Sequence, residues 1–140
     1  MVHFVRVPFI RDGILSEKST VEIPSPAKPL TGQHILDIGC GGGLLSEALA
    51  KLGANVTGID PCAESIAVGE ERANRQKLTL LTYKVISVED LKNSTEHCFD
   101  AITASEVIEH VDNQEFFIQN CVDLLKVNLK KTIGSKSNPR

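Results

Sequence analysis

Apolar and polar residues follow two alternating periods along the middle of the chain. His34-Ile-Leu-Asp-Ile38 is a short apolar run ending in Gly39, Gly41, Gly42 and Gly43, the pattern of a buried strand that closes in a tight turn. Leu44, Leu45, Ala48, Leu49 and Leu52 then recur at helical spacing, with Gly53 placed to cap the helix. Asn55 to Ile59 reads as a second strand. Asp60-Pro61 has the form of an N-cap with proline at the first helical position, opening a helix to about Asn74. Leu78 to Val88 is rich in β-formers and predicts a third strand; Phe99 to Ala104 predicts a fourth. Asp112 and Glu115 stand at capping-box spacing before a helix whose Phe117, Cys121, Leu124 and Leu125 line one face.

The resulting order is β-α-β-α-β-β-α. It becomes β-α-β-α-β-α-β-α if residues 89–97 form the short crossover that parallel strands need. Such alternation predicts an α/β fold, a doubly wound and mostly parallel sheet of the Rossmann-like kind. Residues 1–30 read as an N-terminal arm and Pro-rich linker, because Pro24, Pro26 and Pro29 fall within six residues. The body spans residues 31–126, and the polar, basic residues 127–140 read as a disordered tail.

With 140 residues, 41% hydrophobic and 24% charged, the composition is that of one soluble globular domain. No apolar run approaches the ~18 residues of a membrane span, and the N-terminus lacks a signal-peptide pattern. A net charge of −3 argues against a dedicated nucleic-acid binder. Residues 1–125 hold ten basic against eighteen acidic side chains, so the basic excess sits at the C-terminal end. Cys40, Cys62, Cys98 and Cys121 include no C-x-x-C pair, which excludes a zinc knuckle or a redox couple and leaves reduced thiols in a reducing compartment.

The glycine turn is the most informative stretch. Glycines at a strand-to-helix junction let a ligand lie against backbone N–H groups at the helix N-terminus. A plain tight turn would use fewer of them. Asp60 ends the next strand 21 residues after Gly39, where a carboxylate accepts hydrogen bonds from ribose hydroxyls. The pair predicts a nucleoside-type cofactor. Leu44 stands where the dinucleotide fingerprint has its third glycine, which disfavours a nicotinamide dehydrogenase. S-adenosylmethionine carries no phosphate and does without that glycine. Asp37 suits its amine, directly or through water, or is a buried acid that braces the loop; both roles are compatible.

Glu106, Glu109 and His110 follow the fourth strand, on the side of the sheet where ligands bind in open α/β folds. If the segment turns helically, they share a face and can hold a divalent cation with positions left open for substrate oxygens. The plainer alternative is that acids near a helix start simply favour the helix dipole.

Leu36-Asp-Ile-Gly-Cys-Gly-Gly-Gly43 with Gly58-Ile-Asp60 resembles the first two motifs of class I S-adenosylmethionine-dependent methyltransferases. Arg6-Val-Pro-Phe-Ile-Arg-Asp12 and Ala104-Ser-Glu-Val-Ile-Glu-His-Val111 narrow the resemblance to the ubiquinone-biosynthesis O-methyltransferases in their mitochondrial form. The resemblance runs from about residue 4 to Lys126. It implies S-adenosylmethionine as cofactor, contacted by Arg11, Asp37, Gly39, Gly41, Asp60 and Ser105, with Arg6 a rival to Arg11 for the methionyl carboxylate. It implies a divalent metal, Mg2+ in kind, on Glu106, Glu109 and His110. Ser87 and Glu89 fall where the adenine edge lies in such enzymes. The implied substrate is a lipophilic prenylated catechol. A ubiquinone-biosynthesis protein complex and peripheral membrane contact, on the matrix side of the mitochondrial inner membrane, are the implied partners and place. Phe4, Val5, Val7, Phe9 and Ile10 would then touch lipid or pack the arm on the body. After Lys126 the family continues with Pro-Gly-Gly and further strands, whereas this chain has Val127-Asn-Leu-Lys. The expectation is a truncated form with four of roughly six or seven strands and doubtful turnover. A methyltransferase for another small molecule and a non-catalytic binding module are the alternatives.

Overall fold

The computed structural model describes residues 10–14, 25–94, 99–105 and 107–126. Four strands, β1 (His34–Ile38), β2 (Asn55–Asp60), β3 (Leu81–Val85) and β4 (Ala101–Thr103), form one sheet in the order β3-β2-β1-β4. Every pair is parallel. Four helices connect and flank them: α1 (Leu44–Lys51), α2 (Ala63–Arg75), α3 (Val88–Ser94) and α4 (Gln114–Leu124). The doubly wound α/β fold is therefore present, with α3 as the crossover between β3 and β4.

The period of two along β1 decides which core each side chain enters. Ile35 packs with Leu49, Ala50, Val56, Ile66 and Ala73 on the side of α1 and α2. Leu36 and Ile38 pack with Ile59, Val88, Leu91, Phe117 and Leu124 on the side of α3 and α4. Both faces are covered, so β1 is a continuous buried run, as parallel strands require. Burying one such aliphatic side chain fully contributes about 1.5–3 kcal/mol. Leu30 is also fully buried and its N–H donates to the Leu52 carbonyl, which ties the end of the Pro-rich linker to α1. Ile10 and Ile14 of the helical residues 10–14 pack against the same core. Phe4, Val5, Val7, Phe9 and the tail 127–140 lie outside the described residues.

Several boundaries shift from the sequence reading, each for a local reason. Asp60 does not cap α2. Its carboxylate turns back to the glycine turn, and the N-cap is Cys62, with extended backbone and no side-chain capping bond. Strand β3 stops at Val85 because Ser87 caps α3: its hydroxyl accepts the Asp90 N–H and donates to the Asp90 carboxylate. Val88 is buried as a helix residue, not a strand residue. Asn113 caps α4 by accepting the Phe116 N–H at 3.0 Å, displacing the expected Asp112–Glu115 pair. On α1 the buried face includes Ser46 and Glu47, while Leu44 is 52% exposed. Glu47 is buried because Arg72 and Gln76 of α2 reach its two oxygens at 2.8–3.2 Å.

Phe99 lies before β4 and bridges to Leu125, just after α4. The Lys126 N–H donates to the Phe99 carbonyl at 3.0 Å, so α4 returns the chain to the edge of β4.

Candidate cofactor site

Strands β1 and β2 end side by side, Ile38 opposite Ile59, and the glycine turn leaves the sheet at that end. Two of its glycines are sterically required. Gly39 has φ +65, and a Cβ there would overlap the Val107 side chain; Gly43 has φ +87, and a Cβ there would overlap the Tyr83 hydroxyl. Gly43 accepts the Glu47 N–H at 2.8 Å, so the turn passes directly into α1.

Asp60 joins the two strand ends. Its Oδ2 accepts the Gly41 N–H at 3.0 Å and its Oδ1 accepts the Cys62 N–H at 2.8 Å. The half-buried carboxylate is thus held at the turn, and each oxygen keeps a further lone pair for a hydroxyl donor. The sequence placed Asp60 and Gly41 in one site, and the structure puts them in contact.

Asp37 lies beneath the turn and is 2% exposed. Ser46 of α1 donates to its Oδ2 at 2.6 Å and Thr103 of β4 donates to its Oδ1 at 2.9 Å. These bonds make it a brace between β1, β4 and α1. Burial pushes its carboxyl up to about 6, against which the two hydroxyls work. The same burial, with Asp37 and Asp60 nearby, pushes the Cys40 thiol up to about 12, so that thiol stays protonated and unreactive. Cys40, Cys62 and Cys121 are free, as expected; Cys98 lies outside the described residues.

The segment after β4 lies against the turn through Val107, whose Cγ2 fills the place of a Gly39 side chain. Ser105 is half-buried there, two residues past the end of β4. Glu109 and His110 sit on a single 3-10 turn, both exposed, with Oε1 and Nε2 3.7 Å apart. The two side chains stand within ion-pair reach of each other on the surface. Glu106 lies outside the described residues, and among the described residues no group of three metal-ligating side chains forms. Arg11 pairs with its neighbour Asp12 at 2.7 Å. Ser87 serves as the cap of α3, and Glu89 is exposed in its first turn.

The sequence reading missed Val107 and Tyr83. A signal was available. Gly58 interrupts a strand and Gly69 interrupts a helix, and a glycine in either place marks a close approach.

A four-stranded parallel sheet with a glycine-rich first crossover, bound to an acid at the end of β2, defines a methyltransferase-type domain. The chain matches the methyltransferase domain family over residues 36–128 and belongs to it. It is 48% identical over 124 residues to the mitochondrial ubiquinone biosynthesis O-methyltransferase of Rattus norvegicus, a match covering 87% of this chain and 35% of that protein. The ubiquinone biosynthesis O-methyltransferase of Pelagibacter ubique is 43% identical over 138 residues, 94% of this chain and 55% of that one. The chain therefore spans between a third and about half of the length of these relatives. Among solved structures, magnesium protoporphyrin IX methyltransferase from Synechocystis with bound S-adenosylmethionine superposes with a TM-score of 0.65. It is 20% identical and covers 86% of this chain and 53% of that one. That likeness establishes the fold.

Proposed function

We propose that the chain is the cofactor-binding part of an S-adenosylmethionine-dependent O-methyltransferase of ubiquinone biosynthesis. The observation that carries the reading is the bond from the Gly41 N–H to Asp60. It fixes a ribose acceptor beside a turn open enough for backbone contact, with Leu44 in place of a third phosphate-loop glycine. The names of the relatives place them as O-methyltransferases of ubiquinone biosynthesis; in this reading the acceptor is a catechol-type hydroxyl on a polyprenylated ring. Names given to the rat and human relatives also support a mitochondrial setting, and the matrix face of the inner membrane is our extension of that reading. No helix among the described residues is long and apolar enough to cross a membrane.

In this reading Asp60 accepts the ribose hydroxyls, and Gly39 and Gly41 let the cofactor approach the main chain. Asp37, ionised above pH 6, places negative charge under the methionyl amine. Ser105 borders the cofactor, and Arg11 moves from Asp12 to the methionyl carboxylate. Glu106, Glu109 and His110 hold a divalent cation. When bound, that cation favours the phenolate form of an acceptor whose ordinary pKa is about 10. S-adenosylmethionine held there would supply an electrophilic methyl group for in-line displacement by the phenolate oxygen, with S-adenosylhomocysteine as the leaving group and the phenolic proton released to solvent. Ile108, exposed between Val107 and Glu109, offers apolar surface to a lipophilic ring. Membrane contact and a ubiquinone-biosynthesis complex follow from the same reading.

The test is calorimetry of the chain with S-adenosylhomocysteine and with NADH. Saturable binding of the first, abolished by Asp60→Ala, is expected; preference for NADH overturns the cofactor class. Titration with Mg2+ and Mn2+ of wild type, Glu106→Ala and His110→Ala checks the cation, and equal binding by all three removes it. Methyl transfer to a prenylated catechol then separates an enzyme from a non-catalytic module.

A further inference from the structure

Behind the glycine turn a row of residues crosses the sheet in register: Thr103, Asp37, Gly58 and Tyr83, one from each strand. Tyr83 ends the row and is buried, 8% exposed. Its ring fills space that three glycines leave open. A Cβ on Gly58 would stand 2.8 Å from Cδ1 and one on Gly69 would stand 2.9 Å from Cζ, closer than real side chains approach. A Cβ on Gly43 would overlap the hydroxyl. The three glycines come from β2, from α2 and from the turn itself. Each of the first two weakens its own element, since glycine disfavours both helix and strand interiors. Their shared feature is the ring they admit.

The ring ends at the point where the turn becomes α1. Its hydroxyl donates to the Gly43 carbonyl over 3.4 Å, a long bond, and the same carbonyl accepts the Glu47 N–H at 2.8 Å. Gly43 in turn donates to the Cys40 carbonyl at 3.0 Å, closing the loop that presents Gly41 to Asp60. A rigid ring wedged between α2, β2 and Gly43 leaves the turn one conformation.

We propose that Tyr83 is a positioning residue for the cofactor site. From inside the domain its ring props the Gly39–Gly43 turn in the shape that receives the cofactor. This inference rests on the cofactor reading above, and its test is built so that the two fail separately.

Hydrogen exchange at the Gly41 and Gly43 amides reads the turn with no ligand, and S-adenosylhomocysteine titration of the 140-residue chain reads the site. Tyr83→Phe keeps the ring and loses only a long bond, so both readouts stay within about twofold of wild type. Tyr83→Ala speeds exchange at Gly41 and Gly43 about tenfold more than in β1, and weakens binding about tenfold. Gly69→Ala lies on α2, outside the turn itself, and improves helix propensity. It still drives the ring towards Gly43, so binding weakens by roughly threefold or more and turn exchange quickens. A folded Tyr83→Ala with turn exchange unchanged, or quickened no more than in β1, overturns the proposal. If that variant does not fold, Gly69→Ala decides, and unchanged turn exchange overturns it. If wild type binds no S-adenosylhomocysteine, the cofactor reading falls while the exchange data still judge the prop.

Discussion

The two faces of the sheet bury similar strands under similar helices, yet they are built from different chemistry. Under α3 and α4 the core is Leu36, Ile38, Ile59, Val88, Leu91, Phe117 and Leu124, an apolar contact surface. Under α1 and α2 the core also holds Ile35, Leu49, Val56, Ile66 and Ala73, but it adds Asp37, Thr103 and Tyr83 from β1, β4 and β3, with Ser46 and Glu47 buried on α1. Buried polar groups cost stability unless they are bonded, and here each of the acids is. The polar face is the one beneath the glycine turn. There Asp37 joins β1 to α1 through Ser46 and to β4 through Thr103, directly below the loop.

The comparison breaks most sharply by cavity. Leu36 is fully buried on the apolar face. Leu36→Ala is expected to destabilise by about 3–4 kcal/mol in urea unfolding, without altering cofactor affinity in the folded chain. A loss of affinity in that variant would show that the apolar face also shapes the turn.

Asp37 probes the polar face by pH. Its carboxyl is raised from 3.8 to about 6 by burial, so the folded state holds its proton more tightly than the unfolded one. Stability from this group is full below about pH 4 and falls as pH rises to about 6, by at most about 3 kcal/mol. Asp37→Asn removes that fall. Denaturant midpoints of both proteins between pH 4 and 7 measure it, and parallel curves would mean that Asp37 ionises as freely when folded.

Glu47 gives the opposite sign and a smaller effect. Burial pushes its carboxyl up, but the bonds from Arg72 and Gln76 outweigh burial and hold it below its ordinary value. Its stability is present above pH 4.5 and is lost as pH falls through the lowered value. Arg72 is 42% exposed, which screens the pair, so Arg72→Ala lowers stability only modestly at pH 7. That gap closes on acidification. A gap independent of pH would assign the loss to packing alone.

Much of this architecture was legible because it follows from short-range pattern. The run at His34–Ile38, the glycines after it and Asp60 at the end of β2 locate the site from period and spacing alone. What the sequence did not reveal lies across the sheet. Asp60 reads as a helix cap until the Gly41 N–H is seen to claim it. Glu47 carries no sequence signal of burial, yet Arg72, 25 residues on, pairs with it in the interior. Ser87 reads as strand until its hydroxyl caps α3. Each is a polar side chain with two possible partners, and only the packing of distant elements chooses between them. Glu109 and His110 read as cation ligands together with Glu106; the structure places these two on one exposed turn after Val107, which packs on Gly39.

The smallest expected effect is spectroscopic, and it isolates the polar face from everything else. The chain has one tyrosine and no tryptophan, so its tyrosinate absorbance reports Tyr83 alone. Burial raises this phenol first, and the negative charge of Glu47, with Cys40 and Asp37, raises it further. A free phenol is half ionised at about pH 10; folded Tyr83 stays protonated there and titrates only well above. The raised value places its stabilising contribution below pH 10 and removes it as pH climbs towards the folded value. Alkaline unfolding and tyrosinate formation should then coincide in one step. Gly58→Ala, which crowds the ring at Cδ1, should bring ionisation back towards pH 10. Tyrosinate appearing near pH 10 in the folded wild type would show an open ring, and the contrast between the two faces would lose its central residue.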